Sequence, residues 1–232
     1  MLLFIVVTIT TLFFSKDYII DEIIYFAQEE GVLVRQIYLE GRKYADLDVI
    51  KKAVKIEKGD AIIGIPVDEI REDLEKLKWV ERAAVEIKFP DEVHVQIYER
   101  KPVAFFQSNN KLSMIDRVGH IMEAHPDFTD LPILIGASVP DRITGFWEIL
   151  EENPEILGEI SSATVISNRR WNIILKNGII IKLPEENVAK SWKKLAEFYA
   201  KANLENIKGI DMRLDGKMYI QKKNKYQNVY KL

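Results

Sequence analysis

The hydrophobic period of this chain changes from about 3.6 residues to 2 near Trp79, and that change restricts what the surrounding residues can build. Upstream, Leu47, Ile50 and Val54 recur at offsets 0, 3 and 7 behind Asp46, which suits an N-cap, so they mark one apolar helix stripe. Ile70, Leu74 and Leu77, at offsets 0, 4 and 7 behind Pro66 and Asp68, mark a second. Downstream, Ala83, Val85, Ile87 and Phe89 alternate with polar neighbours, Pro90-Asp91 turns the chain, and Val93, Val95 and Ile97 alternate again. This pattern predicts a hairpin whose Val85, Ile87, Val93 and Val95 pack on Leu74 and Leu77. With a strand over about Leu33–Leu39, punctuated by Gly41, the expected unit is β-α-α-β-β over about Val34–Lys101.

Arg100-Lys101-Pro102 reads as a boundary, and strand-like residues resume at Val103–Phe106. Short apolar runs follow at Leu112–Ile115 and Leu131–Ile135, then a predicted helix near Thr144–Leu150. Ala163–Ser167, Trp171–Lys176 and Ile179–Leu183 read as strands, the last two joined by the turn Asn177-Gly178. Val188, Trp192, Leu195 and Tyr199 mark what reads as the longest helix. Ile207–Arg213, a turn at Asp215-Gly216 and a final strand Lys217–Gln221 complete the half, before a loose polar tail, 223–232. The expected class is α+β, with a mixed or antiparallel β domain flanked by helices. Trp79, Trp147, Trp171 and Trp192 sit in periodic stretches and are expected in the core.

Met1–Phe14 carries no charge and is followed by one lysine, Lys16, against five acids, Asp17, Asp21, Glu22, Glu29 and Glu30. At ~1.5 Å per residue such a run covers ~21 Å, short of a ~30 Å hydrocarbon core. It reads as a short single span, with a secretory signal peptide and a buried helix as rival readings. No basic residue precedes it to set an orientation, and the acidic flank suggests that the chain downstream is not cytoplasmic. A juxtamembrane helix is expected from Tyr18 to Glu30.

The chain has 33 Lys+Arg against 36 Asp+Glu, a net charge of −3, so the basic stripe expected of a nucleic-acid binder is missing. With no Cys, disulfides, thiolate metal sites and a cysteine nucleophile are excluded. His120, Glu123 and His125 form the one histidine and acid cluster, but their spacing does not set two imidazoles on one helix face, and no metal is expected. No nucleophile elbow, phosphate loop or dinucleotide fingerprint is present, so no catalytic residue and no cofactor are expected.

Gly41-Arg42, Trp79-Val80, Pro90-Asp91 and Glu99-Arg100-Lys101-Pro102 stand in the order and setting of the POTRA domain of the FtsQ (DivIB) family, which this half resembles. Asp116-Arg117-Val118-Gly119, Leu131-Pro132, Arg170-Trp171, Asn177-Gly178, Leu183-Pro184 and Ile210-Asp211-Met212-Arg213 are similar to the family's β domain. The resemblance implies a bacterial divisome scaffold of the inner membrane, with no enzymatic activity, enriched at the septum. One N-terminal span would precede a periplasmic POTRA domain (33–101) and β domain (102–222). Residues 1–24 would be the anchor and juxtamembrane segment, N-terminally truncated, since the family's cytoplasmic tail has no counterpart here. The implied partners are FtsB and FtsL, with other divisome proteins, and no nucleic acid. Carried over to this chain, the partner site comprises Arg170, Leu214, Lys217, Met218, Tyr219, Ile220 and Gln221, with Arg169 a weaker match. In the family an Arg before the Trp-led strand pairs with an acidic partner residue, and Leu214 stands where a Tyr anchor can occur, which leaves Tyr219 to supply the aromatic contact. Independently of the resemblance, a last strand carrying Met218, Tyr219 and Ile220 at a sheet edge invites strand addition, while Lys217, Lys222 and Lys223 could instead guard it. Other readings are a different POTRA envelope assembly protein or an envelope enzyme whose site has no recognised motif.

Overall fold

The period change at Trp79 is realised as a helix-to-strand boundary in the computed structural model, which describes residues 32–214 and 216–223. The chain divides into one compact unit up to Arg100 and another from Lys101. The first contains β1 (Gln36–Glu40), α1 (Leu47–Val54), α2 (Val67–Glu75), β2 (Val80–Lys88) and β3 (Glu92–Glu99). β3 is central in a three-stranded sheet, parallel to β1 and antiparallel to β2. The N-cap at Asp46 is as expected: its Oδ1 accepts from the Asp48 and Val49 amides at 2.8 and 3.2 Å. The hairpin register is also as expected, with Ala83, Val85 and Ile87 opposite Ile97, Val95 and Val93.

Burial departs from expectation on one strand. Val93, Val95 and Ile97 of central β3 are buried, but Val85, Ile87 and Leu77 are only half-buried. β2 is an edge strand, so one flank of each of its side chains has no neighbouring strand, and Leu77 lies beyond the end of α2. The first strand also begins later than predicted. The Val34 amide donates to the Asp60 carbonyl at 2.9 Å, the Gly59 amide to the Val34 carbonyl at 2.9 Å and the Ile62 amide to the Val32 carbonyl at 3.2 Å, so this stretch is held by the loop after α1 and not by the sheet.

The quoted motifs have physical causes. Gly41 has φ +79°, and a Cβ there would lie 2.1 Å from the Ile97 carbonyl oxygen, so no side chain fits. The Glu99 carboxylate accepts from three successive amides, Lys43, Tyr44 and Ala45, at 2.7–3.0 Å, tying the loop ahead of α1 to the end of β3. The Arg100 amide donates to the Trp79 carbonyl at 2.9 Å, joining the start and end of the hairpin.

The second unit holds β4 (Pro102–Ser108), β5 (Lys111–Asp116), β6 (Ile121–Met122), β7 (Ile133–Ile135), α3 (Val139–Glu151), α4 (Pro154–Gly158), β8 (Ile160–Ile166), β9 (Arg170–Leu175), β10 (Ile180–Lys182), α5 (Val188–Tyr199), β11 (Ile207–Asp211) and β12 (Tyr219–Lys222). They form a mixed nine-stranded sheet in the order β12-β11-β10-β9-β8-β7-β4-β5-β6. Its core joins Ile143 and Phe146 of α3, Trp192 and Leu195 of α5, and Trp171, Ile173 and Leu175 of β9. Phe146 stacks on Trp171 at 4.0 Å and 5°. All four tryptophans are buried, as expected. Asp116-Arg117-Val118-Gly119 is a turn: Asp116 Oδ1 accepts from the Val118 and His120 amides, and a Cβ on Gly119 would lie 2.3 Å from the Pro140 carbonyl oxygen.

Several boundaries differ from expectation. The predicted helix near Thr144–Leu150 begins at Val139, where Pro140 fixes its first turn, and at 13 residues it exceeds the 12 of α5. The five-residue α4 and two-residue β6 are too short to carry a period of their own. The last strand is Tyr219–Lys222, not Lys217–Gln221, because the Lys217 amide closes the preceding turn on the Leu214 carbonyl at 3.0 Å.

Candidate partner-binding surface

Along β9 the side chains alternate, so while Trp171 and Ile173 enter the core, Arg170 and Asn172 lie on the opposite face of the sheet. Register extends that row across the strands: Asn172 is opposite Lys182, Lys182 opposite Asp211, and Asp211 opposite Tyr219. Tyr219 is 51% exposed. β12 is the end of the sheet, and among the described residues no strand lies beyond it. Beside it a hollow of about 400 Å³ is lined by Ile180, Lys182, Gly209, Asp211, Tyr219 and Gln221. Gly209 keeps its floor low, since a Cβ there would approach the Ile180 carbonyl oxygen to 3.1 Å.

The electrostatics of the row are set by one close pair. Arg213 donates through Nη2 to Asp211 Oδ2 at 2.6 Å and through Nε to both carboxylate oxygens at 2.9 and 3.0 Å. This guanidinium, aided by Lys182, holds the Asp211 carboxyl below its ordinary value, and Asp211 in turn raises that of Arg213. With Asp211 so matched, the charges of Lys182 and Arg170 leave the face electropositive. Arg170 Nε and Asn172 Oδ1 are buried and have no hydrogen-bond partner among the described residues. Buried polar atoms seldom stay unpaired, so this pair is suited to a bound group that both accepts and donates. Arg169 points elsewhere and ion-pairs with Glu185 at 3.5 Å.

The residues singled out in the sequence are thus not one contiguous patch. Tyr219, Ile220 and Gln221 form the edge, Leu214 and Lys217 flank the turn before it, and Arg170 stands three strands away, about 14 Å at the usual strand spacing. Met218 is half-buried against the core, and the turn before it is tied to the middle of α5, where Lys194 Nζ donates to the Gly216 carbonyl at 2.6 Å. Asn172, Lys182, Asp211 and Arg213 were not picked out as site residues from sequence. The alternation Arg170-Trp171-Asn172-Ile173 carried the signal for Asn172, whereas the cross-strand neighbours depend on register between strands far apart in the chain. Among the described residues no group of three or more His, Asp or Glu is arranged to hold a metal ion.

Two family models match the two units: the FtsQ-type POTRA domain over residues 32–100 and the C-terminal region of cell division protein FtsQ/DivIB over residues 104–213. Cell division protein FtsQ of Rickettsia bellii is 31% identical over 198 residues, 84% of this chain and 74% of that protein. The chain belongs to the FtsQ/DivIB family of cell division proteins. FtsQ of Rickettsia felis is 29% identical over 228 residues, covering 96% of this chain and 85% of its own length. That of Rickettsia conorii is 30% identical over 211 residues, covering 89% and 79%. In this FtsQ/DivIB chain the C-terminal match ends at Arg213, so β12 lies just past it. Among the described residues no helix is long and apolar enough to cross a membrane, and the run Met1–Phe14, the segment Tyr18–Glu30 and the tail 224–232 lie outside them.

Proposed function

We propose that this FtsQ/DivIB family member is a non-enzymatic divisome scaffold whose β domain (102–222) binds FtsB, together with FtsL, at the β12 edge. Residues 33–101 serve as its POTRA domain, and Met1–Phe14 belongs to a single inner-membrane anchor that leaves the rest in the periplasm at the division septum. The observation that carries the reading is the open edge of β12, with Tyr219 and Ile220 51% and 42% exposed. An edge strand presents unpaired amides and carbonyls, and an added partner strand satisfies them while its side chains find the hollow beside Tyr219. Arg170 supplies a second contact. At about 14 Å from β12 it is out of reach of the added strand, so a further acidic segment of the partner must cross the sheet face to meet it.

Co-purification tests this. The full chain in detergent should retain the periplasmic region of FtsB, and Arg170→Glu should weaken retention about tenfold or more by replacing attraction with like-charge repulsion. Undiminished retention by Arg170→Glu removes the face contact, and no retention by the unaltered chain removes the reading.

A further inference from the structure

A hollow of about 770 Å³ in the first unit runs between α1 and β1, which among the described residues is an edge strand. Its floor is apolar, made by Ile37, Leu39, Leu47, Ile50 and Val54, and Leu47 is 37% exposed although it belongs to the apolar stripe of α1. Lys51, Lys55 and Lys58 stand on its walls. Of the acids there, Asp60 is held to the backbone, accepting from the Glu57 amide at 2.8 Å, while Lys55 is bound to Asp73 at 2.7 Å. Glu57 also lines the groove, and Lys51 reaches Asp48 on its own helix only at 4.0 Å, both side chains being exposed, so Lys51 and Lys58 are the groove's positive charges least committed to a close acid among the described residues. The opposite side of the sheet, with Tyr38, Tyr98 and Arg82, offers no comparable apolar floor: Tyr38 is stacked against His94 and Tyr98 lies under Arg82.

The chain itself supplies a complementary segment. Asp17–Glu30 holds Asp17, Asp21, Glu22, Glu29 and Glu30 and no basic residue, with Ile20, Ile23, Ile24 and Tyr25 among them. It joins the described residues at Val32, whose carbonyl bonds to Ile62, beside the end of the groove lined by Lys58 and Asp60. Gly31 lies between, a residue that permits a reversal of the chain. Fourteen residues cover about 21 Å even if helical, more than the roughly 17 Å of a five-residue strand such as β1. We propose that the acidic segment Asp17–Glu30 docks in the groove between β1 and α1 of its own chain, its isoleucines on Leu39 and Leu47 and its carboxylates on Lys51 and Lys58. Docking covers the β1 edge and fixes the first unit relative to whatever precedes Asp17. The inference does not depend on the partner site at β12.

The absence of cysteine makes the test direct. In the full chain in detergent, Ile23→Cys is combined either with Leu47→Cys in the groove or with Tyr98→Cys on the far face of the sheet, and mild oxidation is followed by non-reducing electrophoresis and peptide mass spectrometry. The groove pair should form an intrachain disulfide about tenfold faster than the far-face pair, because docking raises the local thiol concentration. Adding Lys51→Glu and Lys58→Glu, which are surface changes, should remove most of that preference. Equal rates for the two pairs overturn the proposal. So does a disulfide formed only between chains, which makes a second copy the occupant, or a preference indifferent to the two charge reversals.

Discussion

Glu99 illustrates how much one side chain in this molecule can organise. Its carboxylate accepts three backbone amides at 2.7–3.0 Å, and charge-assisted bonds to a partly buried group are the strong ones. Glu99→Ala strands those donors and should cost about 2–4 kcal/mol in chemical denaturation followed by circular dichroism. Asp73 behaves differently, being close to the surface. Hydrogen bonds and charge from Lys55 and then Lys76 lower its pKa from 3.8 to about 2. A carboxyl whose folded value lies below its unfolded one adds stability above the unfolded value and loses it as pH falls through the folded one. The denaturation midpoints of the unaltered chain and Asp73→Asn should therefore differ at pH 5 and converge as pH falls from about 4 to about 2. Gly41, Glu99 and Gly119 were visible in sequence as motif letters only, since their causes are the Ile97 carbonyl, the Lys43–Ala45 amides and the Pro140 carbonyl, each distant in the chain.

Among the elements, the hairpin separates pattern from burial. Period 2 located both strands and their shared face, and the observed register pairs the residues that the pattern aligned. It could not reveal that β3 is central and β2 an edge, because that depends on β1 pairing in parallel with β3 from more than fifty residues upstream. The energetic consequence is measurable. Ile97→Ala, in a residue 1% exposed, should cost about 3–4 kcal/mol, whereas Ile87→Ala on the edge should cost about 1–2 kcal/mol, read from denaturation midpoints of the two variants. Equal costs would contradict the edge position of β2. In the second unit the Asn177-Gly178 turn and the stripe of α5 were legible for the same reason, being local, while α4 and β6 lack enough residues to show a period. The partner surface lies between these cases: β12 was legible as a last strand, but the row from Asn172 through Lys182 and Asp211 to Tyr219 exists only once four strands are in register.

For the molecule as a whole, the proposed scaffold role requires that the two units face the same compartment as FtsB. A reporter active only after export, fused after Leu232, should be active, and activity of a cytoplasmic reporter at that position would contradict the proposed topology. The partner site itself rests on the β12 edge and its exposed Tyr219, set against Tyr98, which is comparably exposed at 44% but belongs to the first unit. The decisive measurement is calorimetric titration of the chain, Tyr219→Ala and Tyr98→Ala with a peptide of the FtsB periplasmic region. Loss of an interface Tyr at the centre of a contact typically costs about 2 kcal/mol or more, so Tyr219→Ala should weaken binding by that amount while Tyr98→Ala leaves it nearly unchanged. Equal losses in the two variants, or none from Tyr219→Ala, would contradict strand addition at β12.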